Sequence, residues 1–423
     1  MSELVISGDL TNSTDSKVLT DVSNLSVKIS GRSDIGGQKY NQDAYWIYNN
    51  LSYGIYVIGV LDGHDKDTGK IVADTAKNFA ESFTLTNIEL AKSNPIKFLE
   101  LIFEGTQCII KDMLCNLWRE KFFEIKEESG FILKKRSDYT SWEIIRGGAT
   151  KSMCMIVGNK MYIANVGDSS GILYSSLPVL KKSFIKYEKD VETRITKPDS
   201  SDKPDNTDIS SDFLILTADH SPENPEEYDR IRKQNLSQTV LSGQNPAFVY
   251  DDISICDKSL CSPIFNIRKD GTLLKSTLGI KYYKNVRQEP SSYIATPYGS
   301  TYSDSLAFTR SMGDFYLGTF GLSHKPEISS VNLDTIFDAI STDSSKTICI
   351  ILATYGVWDN WTYRDVGLFL MHHTCIKTIA ESPETGVYDV TNAFMDRNDL
   401  YAKINFDRSA DNATAIVMYI SKN

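Results

Sequence analysis

Aspartates recur at the ends of strand-length apolar runs, and this pattern constrains the fold more than any other feature of the chain. GIYVIGVL (54–61) is a continuous run without a charge that stops at Asp62. Other aspartates stand in small turn-like contexts: Asp43 in NQDAY, Asp168 in NVGDSS, Asp314 in RSMGD, Asp359 in GVWDN and Asp411 in ADNAT. Carboxylates that follow strands emerge at one rim of a sheet. Several meeting there repel one another unless cations neutralise them. There is no Cys/His set to favour zinc, so hard, oxygen-liganded Mg²⁺ or Mn²⁺ is the expected partner.

Each Asp-Gly or Gly-Asp pair is by itself an ordinary turn, so the weight lies on what surrounds them. Residues 149–173 read as a meander of short strands with turns at Gly158-Asn159 and Gly167-Asp168. Further strands are expected at 213–217, 347–354 and 414–420. Val72, Ala76, Phe79, Ala80 and Phe83 recur at helical spacing, and a second helix is expected from Pro95. Helices are also expected near Thr362, where Thr-x-x-Asp resembles a cap, and near Val387. Strands joined by tight turns and flanked by helix pairs give an α/β layered domain with largely antiparallel sheets. Residues 1–24 read as a flexible lead-in to one domain spanning 25–423. Polar stretches at 177–211 and 236–300 read as insertions on its rim.

Composition excludes several classes of function. The net charge of −10 and the lack of a long Lys/Arg cluster argue against a nucleic-acid partner. No apolar run approaches the ~20 residues of a membrane span, and MSELVISGDL has no leader-like pattern. The seven cysteines are odd in number and lack CxxC spacing, which favours a reduced intracellular compartment, cytoplasmic or nuclear. A monomer is expected.

The ordered set of motifs resembles the metal-dependent protein phosphatase 2C family over roughly residues 27–420. The matching blocks are GGQKYNQDAYWI (36–47), YVIGVLDGHD (56–65), GGATKSMCMIVGNKMYIANVGDSSGIL (147–173), LTADHSPENPEEYDRI (216–231), LAFTRSMGD (306–314), LATYGVWDNWT (352–362) and DRSADNATAIVMYI (407–420). The resemblance implies a central β-sandwich of two mostly antiparallel sheets flanked by helix pairs. It also implies hydrolysis of phosphoserine and phosphothreonine in a phosphoprotein substrate, with two Mn²⁺ or Mg²⁺ ions and a looser third. Asp62 matches the carboxylate bridging both metals, the Gly63 carbonyl a backbone ligand, and Asp411 a terminal ligand. Gln42 and Asp43 match a pair that holds metal directly or through water. Asp168 and Asp359 match the pair for the third ion, and His64 the general acid.

Three positions depart from the family pattern. Tyr355 stands where a core metal-ligand aspartate is expected, and a phenol is neutral at pH 7. Gln38 stands where a base grips the substrate phosphate, and its amide lacks charge. Asp65 replaces the glycine after His64, adding negative charge near the phosphate path. Two readings follow. One is a phosphatase weakened by Tyr355 and Gln38, in which aspartate at position 355 raises metal-dependent hydrolysis. The other is a non-catalytic pseudophosphatase that binds a phosphoprotein or signalling partner.

Overall fold

Strand Ile55–His64 is apolar on both faces, and the computed structural model gives the reason: its sheet is covered on both sides. The structure describes residues 25–50, 52–175, 213–237, 245–340, 346–382 and 384–422, with the backbone of strands at 4–7, 14–22, 184–188 and 191–194. One sheet runs in the order Leu4–Ser7, Asp43–Asn50, Ile55–His64, Lys151–Val157, Lys160–Val166, Glu327–Asn332, Phe184–Glu188, Val191–Arg194. The second runs Phe213–Ile215, Ser170–Ser175, Thr347–Ala353, Ala413–Lys422, Leu25–Asp34, Thr14–Val22. Every pairing along these two paths is antiparallel.

Three apolar layers follow from the two-residue strand period. Tyr45, Ile47, Ile58 and Val60 of the first sheet meet Val27, Ile29, Ile350 and Met418 of the second between the sheets. On the outer face of the first sheet, Trp46 and Tyr48 pack against Val72, Ala76, Phe98 and Ile102 of helices Gly69–Thr86 and Pro95–Glu120. On the outer face of the second, Cys349, Ile351 and Val417 pack against Val366, Val387 and Phe394. Those residues belong to helices Tyr363–Leu370 and Gly386–Asn405. Pro95 opens its helix as expected, and the Thr362 side chain accepts the Asp365 N–H. This is the expected α/β layering: a sandwich of antiparallel sheets between helix pairs.

Two expectations are corrected. The 149–173 stretch is not one meander: Lys151–Val157 and Lys160–Val166 form a hairpin, but the Gly167-Asp168 corner carries the chain into the other sheet. Asp168 therefore stands where the sheets meet. Residues 14–22, expected within a flexible lead-in, pair along strand Leu25–Asp34; residues 8–13 lie outside the described residues. Most of the 177–211 stretch also lies outside them. The described part of the 236–300 stretch carries a small core of its own, with Phe248, Tyr250, Ile264, Phe265 and Ile294 closing on Leu317 and Leu322.

Candidate metal and phosphoester site

Strand register puts the first two carboxyls side by side, because Asp43 and Asp62 are direct cross-strand partners. The second sheet reaches the same point: Thr354 directly follows strand Thr347–Ala353 and Thr414 lies in its neighbour. Both hydroxyls donate to Asp43 Oδ2 at 2.7 Å. Asp43 thus ties the two sheets together through one oxygen. The other, Oδ1, is buried without a partner. Burial, with help from Asp411, pushes the Asp43 carboxyl up to about 7 against the pull of the two threonines. Asp62 is pushed well above the usual carboxylate range by burial, then by Asp43, Asp411 and Asp168, while the Tyr355 backbone offsets part of this.

Asp168 and Asp359 lie within electrostatic reach of each other. Burial raises Asp168 to about 6, opposed by Lys284. Burial and then Asp411 raise Asp359 to about 7, opposed by Lys284 and Arg287. Asp359 Oδ1 is also buried without a partner. Asp411 is exposed at the mouth, its Oδ1 accepting the Asn412 N–H at 2.8 Å. Lys70, whose charge pulls the Asp43 carboxyl down, is paired with Asp74 at 2.8 Å.

The chemistry of this donor set fits a hard dication: carboxylate oxygens that raise one another's affinity for protons, two of them with an unused oxygen. The set is not closed as it stands. Among the described residues, no three His, Cys, Asp or Glu side chains stand together so that they could hold an ion.

Tyr355 sits at the start of the short helix Tyr355–Trp358, held close because Gly356 has no side chain. A Cβ there would lie 2.1 Å from the Asn412 carbonyl oxygen. The phenol is already engaged by the insertion. Its hydroxyl donates to Glu289 Oε2 at 3.0 Å and accepts from Asn285 Nδ2 at 2.6 Å. Burial and then Glu289 keep it protonated far above the ordinary tyrosine range. Arg287 holds Glu289 through two bonds of 3.0 Å and pulls its carboxyl down to about 2 against burial.

His64 donates or accepts through Nε2 at 2.7 Å from Asp314 Oδ2, and its Nδ1 is buried without a partner. Burial pulls this imidazole down, but the Asp314 carboxylate outweighs it and the net effect is upward. Asp314 adopts a left-handed conformation (φ 45°), and Oδ2 also accepts from Ser311 at 2.6 Å. It approaches this closely because position 148 is glycine; a Cβ there would lie 2.0 Å from Asp314 Oδ2.

The remaining candidates brace loops. The Gln42 amide donates to the Asp65 carbonyl at 2.7 Å, and its backbone carbonyl accepts the Gly63 N–H at 3.2 Å. Gln38 is exposed and donates to the Ala410 carbonyl at 2.9 Å. Asp65 closes its own turn, its Oδ1 accepting from Asp67 N–H and Thr68 Oγ1, each at 3.0 Å. Sequence reasoning left Thr354, Thr414, Lys284, Asn285 and Glu289 unassigned, and gave Asp314 no partner. The threonines adjoin motif residues in LATYG and DNATA; nothing in the sequence marks the insertion residues.

The protein phosphatase 2C family model matches residues 66–184. Of the candidate site residues, Asp168 falls inside that span. Among solved structures, the chain is similar to the serine-threonine phosphatase 2C from Toxoplasma gondii, with a TM-score of 0.53 and 14% identity over 97% of this chain and 99% of that one. It is also similar to a C. elegans sex determining protein (TM-score 0.48, 18% identity, 92% of this chain and 64% of that one). A third is the S. agalactiae serine/threonine phosphatase (TM-score 0.43, 14% identity, 93% and 98%). No curated protein matched the sequence. The fold and its aspartate-lined rim define the class, a phosphatase 2C-like sandwich. The family model matches residues 66–184 of the chain, and the fold as a whole is of the phosphatase 2C type. Among the described residues, no helix is long and apolar enough to cross a membrane.

Proposed function

We propose that the chain is a divalent-metal-dependent serine/threonine phosphatase that hydrolyses phosphoserine and phosphothreonine in a phosphoprotein by metal-activated water. The observation that carries this reading is the cross-strand pair Asp43 and Asp62, facing Asp168, Asp359 and Asp411, with free oxygens on Asp43 and Asp359. Asp62, Asp411 and the Gly63 carbonyl would hold two Mn²⁺ or Mg²⁺ ions, with Asp43 acting directly or through water. Asp168 and Asp359 would hold a looser third ion. Bound ions supply fixed positive charge for the phosphoryl oxygens and acidify a water molecule. Tyr355 is left out of the set because its hydroxyl is committed to Asn285 and Glu289. Gln42 contributes by holding the Asp65 turn.

His64 supplies the proton for the leaving serine or threonine oxygen. Asp314 binds the Nε2–H, so the second proton of the imidazolium rests on Nδ1, the nitrogen with no partner. Its raised affinity keeps that proton available near neutral pH.

Phosphate release from a phosphopeptide at millimolar Mn²⁺ tests the reading. Slow, metal-dependent turnover is expected, and Asp62→Asn should abolish it. A second reading is favoured by one observation, that Tyr355 and Gln38 are both engaged by the protein itself. Phosphopeptide binding without turnover under any metal would move the chain to that reading, a non-catalytic module for a phosphoprotein or signalling partner.

A further inference from the structure

Gln38 lacks charge and spends one of its two amide donors on the Ala410 carbonyl, and most basic side chains around the rim are already paired. Arg32 is bonded to Asp396 at 2.7 Å, Lys70 to Asp74 at 2.8 Å, and Arg146 to Asp304 at 3.1 Å. Arg287 is taken up by Glu289 and the Trp358 carbonyl. Lys284 differs. Its ammonium lies over the Tyr355 ring, 4.4 Å from the centroid, and among the described residues it makes no hydrogen bond or salt bridge. Stacking of this kind stabilises a cation without consuming its N–H donors.

The loop that carries Lys284 is fixed in place. Tyr283 and Pro290 bridge its base, and Lys284 N–H donates to the Glu289 carbonyl at 2.8 Å. Asn285 and Glu289 hold the Tyr355 hydroxyl from either side. Val286 N–H reaches the Asp359 carbonyl at 3.3 Å. The charge therefore stands at the Asp168 and Asp359 end of the cleft, where both carboxyls respond to it.

We propose that Lys284 is a phosphate-binding residue: the insertion brings into the cleft the positive charge that Gln38 lacks, and Tyr355 sets where that charge stands. The proposal rests on the phosphatase reading and names the group that would read its substrate. An ammonium is a compact point charge with three donors, suited to the phosphoryl oxygens of a phosphomonoester or of inorganic phosphate.

The test titrates inorganic phosphate into wild type, Lys284→Met and Lys284→Arg at millimolar Mn²⁺, read by calorimetry, with phosphopeptide kinetics on the same preparations. Lys284→Met should weaken phosphate binding about tenfold, the scale of one lost charge-assisted bond. KM should rise while kcat changes little, and Lys284→Arg should keep most of the affinity. Unchanged thermal unfolding of Lys284→Met excludes a folding defect. Equal phosphate affinity in wild type and Lys284→Met overturns the assignment, as does an absence of phosphate binding to wild type. A change confined to Mn²⁺ affinity also overturns it, since the ammonium would then act on the carboxylates alone. Lys284-dependent phosphate binding without phosphopeptide turnover would sink the phosphatase reading and leave the assignment standing.

Discussion

At the strand-end side of the cleft, Asp43 and Asp62 are placed by backbone register, and Thr354 and Thr414 lock Asp43 from the opposite sheet. At the insertion side, Tyr355, Asn285, Glu289 and Lys284 are placed by side-chain bonds between segments about seventy positions apart. The two sides tolerate change differently. A carboxyl fixed by sheet register has nowhere to go, so the strand ends keep their unfavourable charge cluster. On the insertion side, position 355, where the family resemblance implies a carboxylate, carries a phenol that holds the loop through Asn285 and Glu289.

The largest expected effect separates the sides by pH. Asp43 and Asp359 titrate at about 7 and Asp168 at about 6 in the folded chain, against roughly 4 when unfolded. The folded state keeps protons that the unfolded chain releases. The stability this confers is complete below about pH 4 and is lost as pH rises through 6 to 7. Every tenfold gain in proton affinity on folding is worth about 1.4 kcal/mol, so metal-free protein should lose a few kcal/mol between about pH 5 and pH 8. Mn²⁺ should remove that loss, and Asp62→Asn should raise metal-free stability while abolishing the Mn²⁺ effect. Urea midpoints with and without Mn²⁺ measure all three, and a flat metal-free profile would break the account of the strand-end cluster.

The next effect belongs to Tyr355. Tyr355→Phe removes only the hydroxyl, leaves Asn285 and Glu289 short of a partner, and should cost about 1–2 kcal/mol. Tyr355→Asp also removes the ring under Lys284 and sets a carboxylate toward Glu289, so a loss of about 2–4 kcal/mol is expected. Adding Glu289→Gln should recover about 1 kcal/mol through the coupling of neighbours. Restored activity from an aspartate is accordingly expected in the double variant more than in Tyr355→Asp alone. A single variant as stable as wild type would show that the insertion does not depend on this phenol.

This contrast also marks how far the sequence could be read. Strand ends were legible because covered sheets leave uninterrupted apolar runs, and the residue after such a run must emerge at the rim; Asp62 was found that way, while Asp43, which opens its strand, and Asp168 were marked by their turn-like contexts. The corner at Gly167-Asp168 looked like a hairpin turn because tight turns within a sheet and between sheets use the same residues. Asp314 stood out as one more turn aspartate, but its pairing with His64 spans 250 positions and depends on Gly148 leaving room. Lys284, Asn285 and Glu289 were illegible because no periodicity governs a loop whose shape is set by the surface it packs on. Likewise, a tyrosine at position 355 reads as the loss of a carboxylate until its hydroxyl is seen to have two partners.

The smallest effect tests the strand-end side at Asp65, whose carboxylate was expected to disturb the approach of phosphate. The residue stands at φ 86°, a left-handed conformation that costs most side chains roughly 1 kcal/mol. Its Oδ1 recovers part of that by closing the turn onto Asp67 and Thr68 ahead of the Gly69–Thr86 helix. Asp65→Ala loses those bonds and keeps the strain, so a loss of about 1–2 kcal/mol is expected. Asp65→Gly loses the bonds but relieves the strain, and should fall within about 0.5 kcal/mol of wild type. Neither variant should change KM for a phosphopeptide, because the carboxylate is turned toward the helix start. A KM that drops several-fold in both would mean that this charge does face the phosphate, and that the strand-end side carries a second departure with a direct catalytic cost.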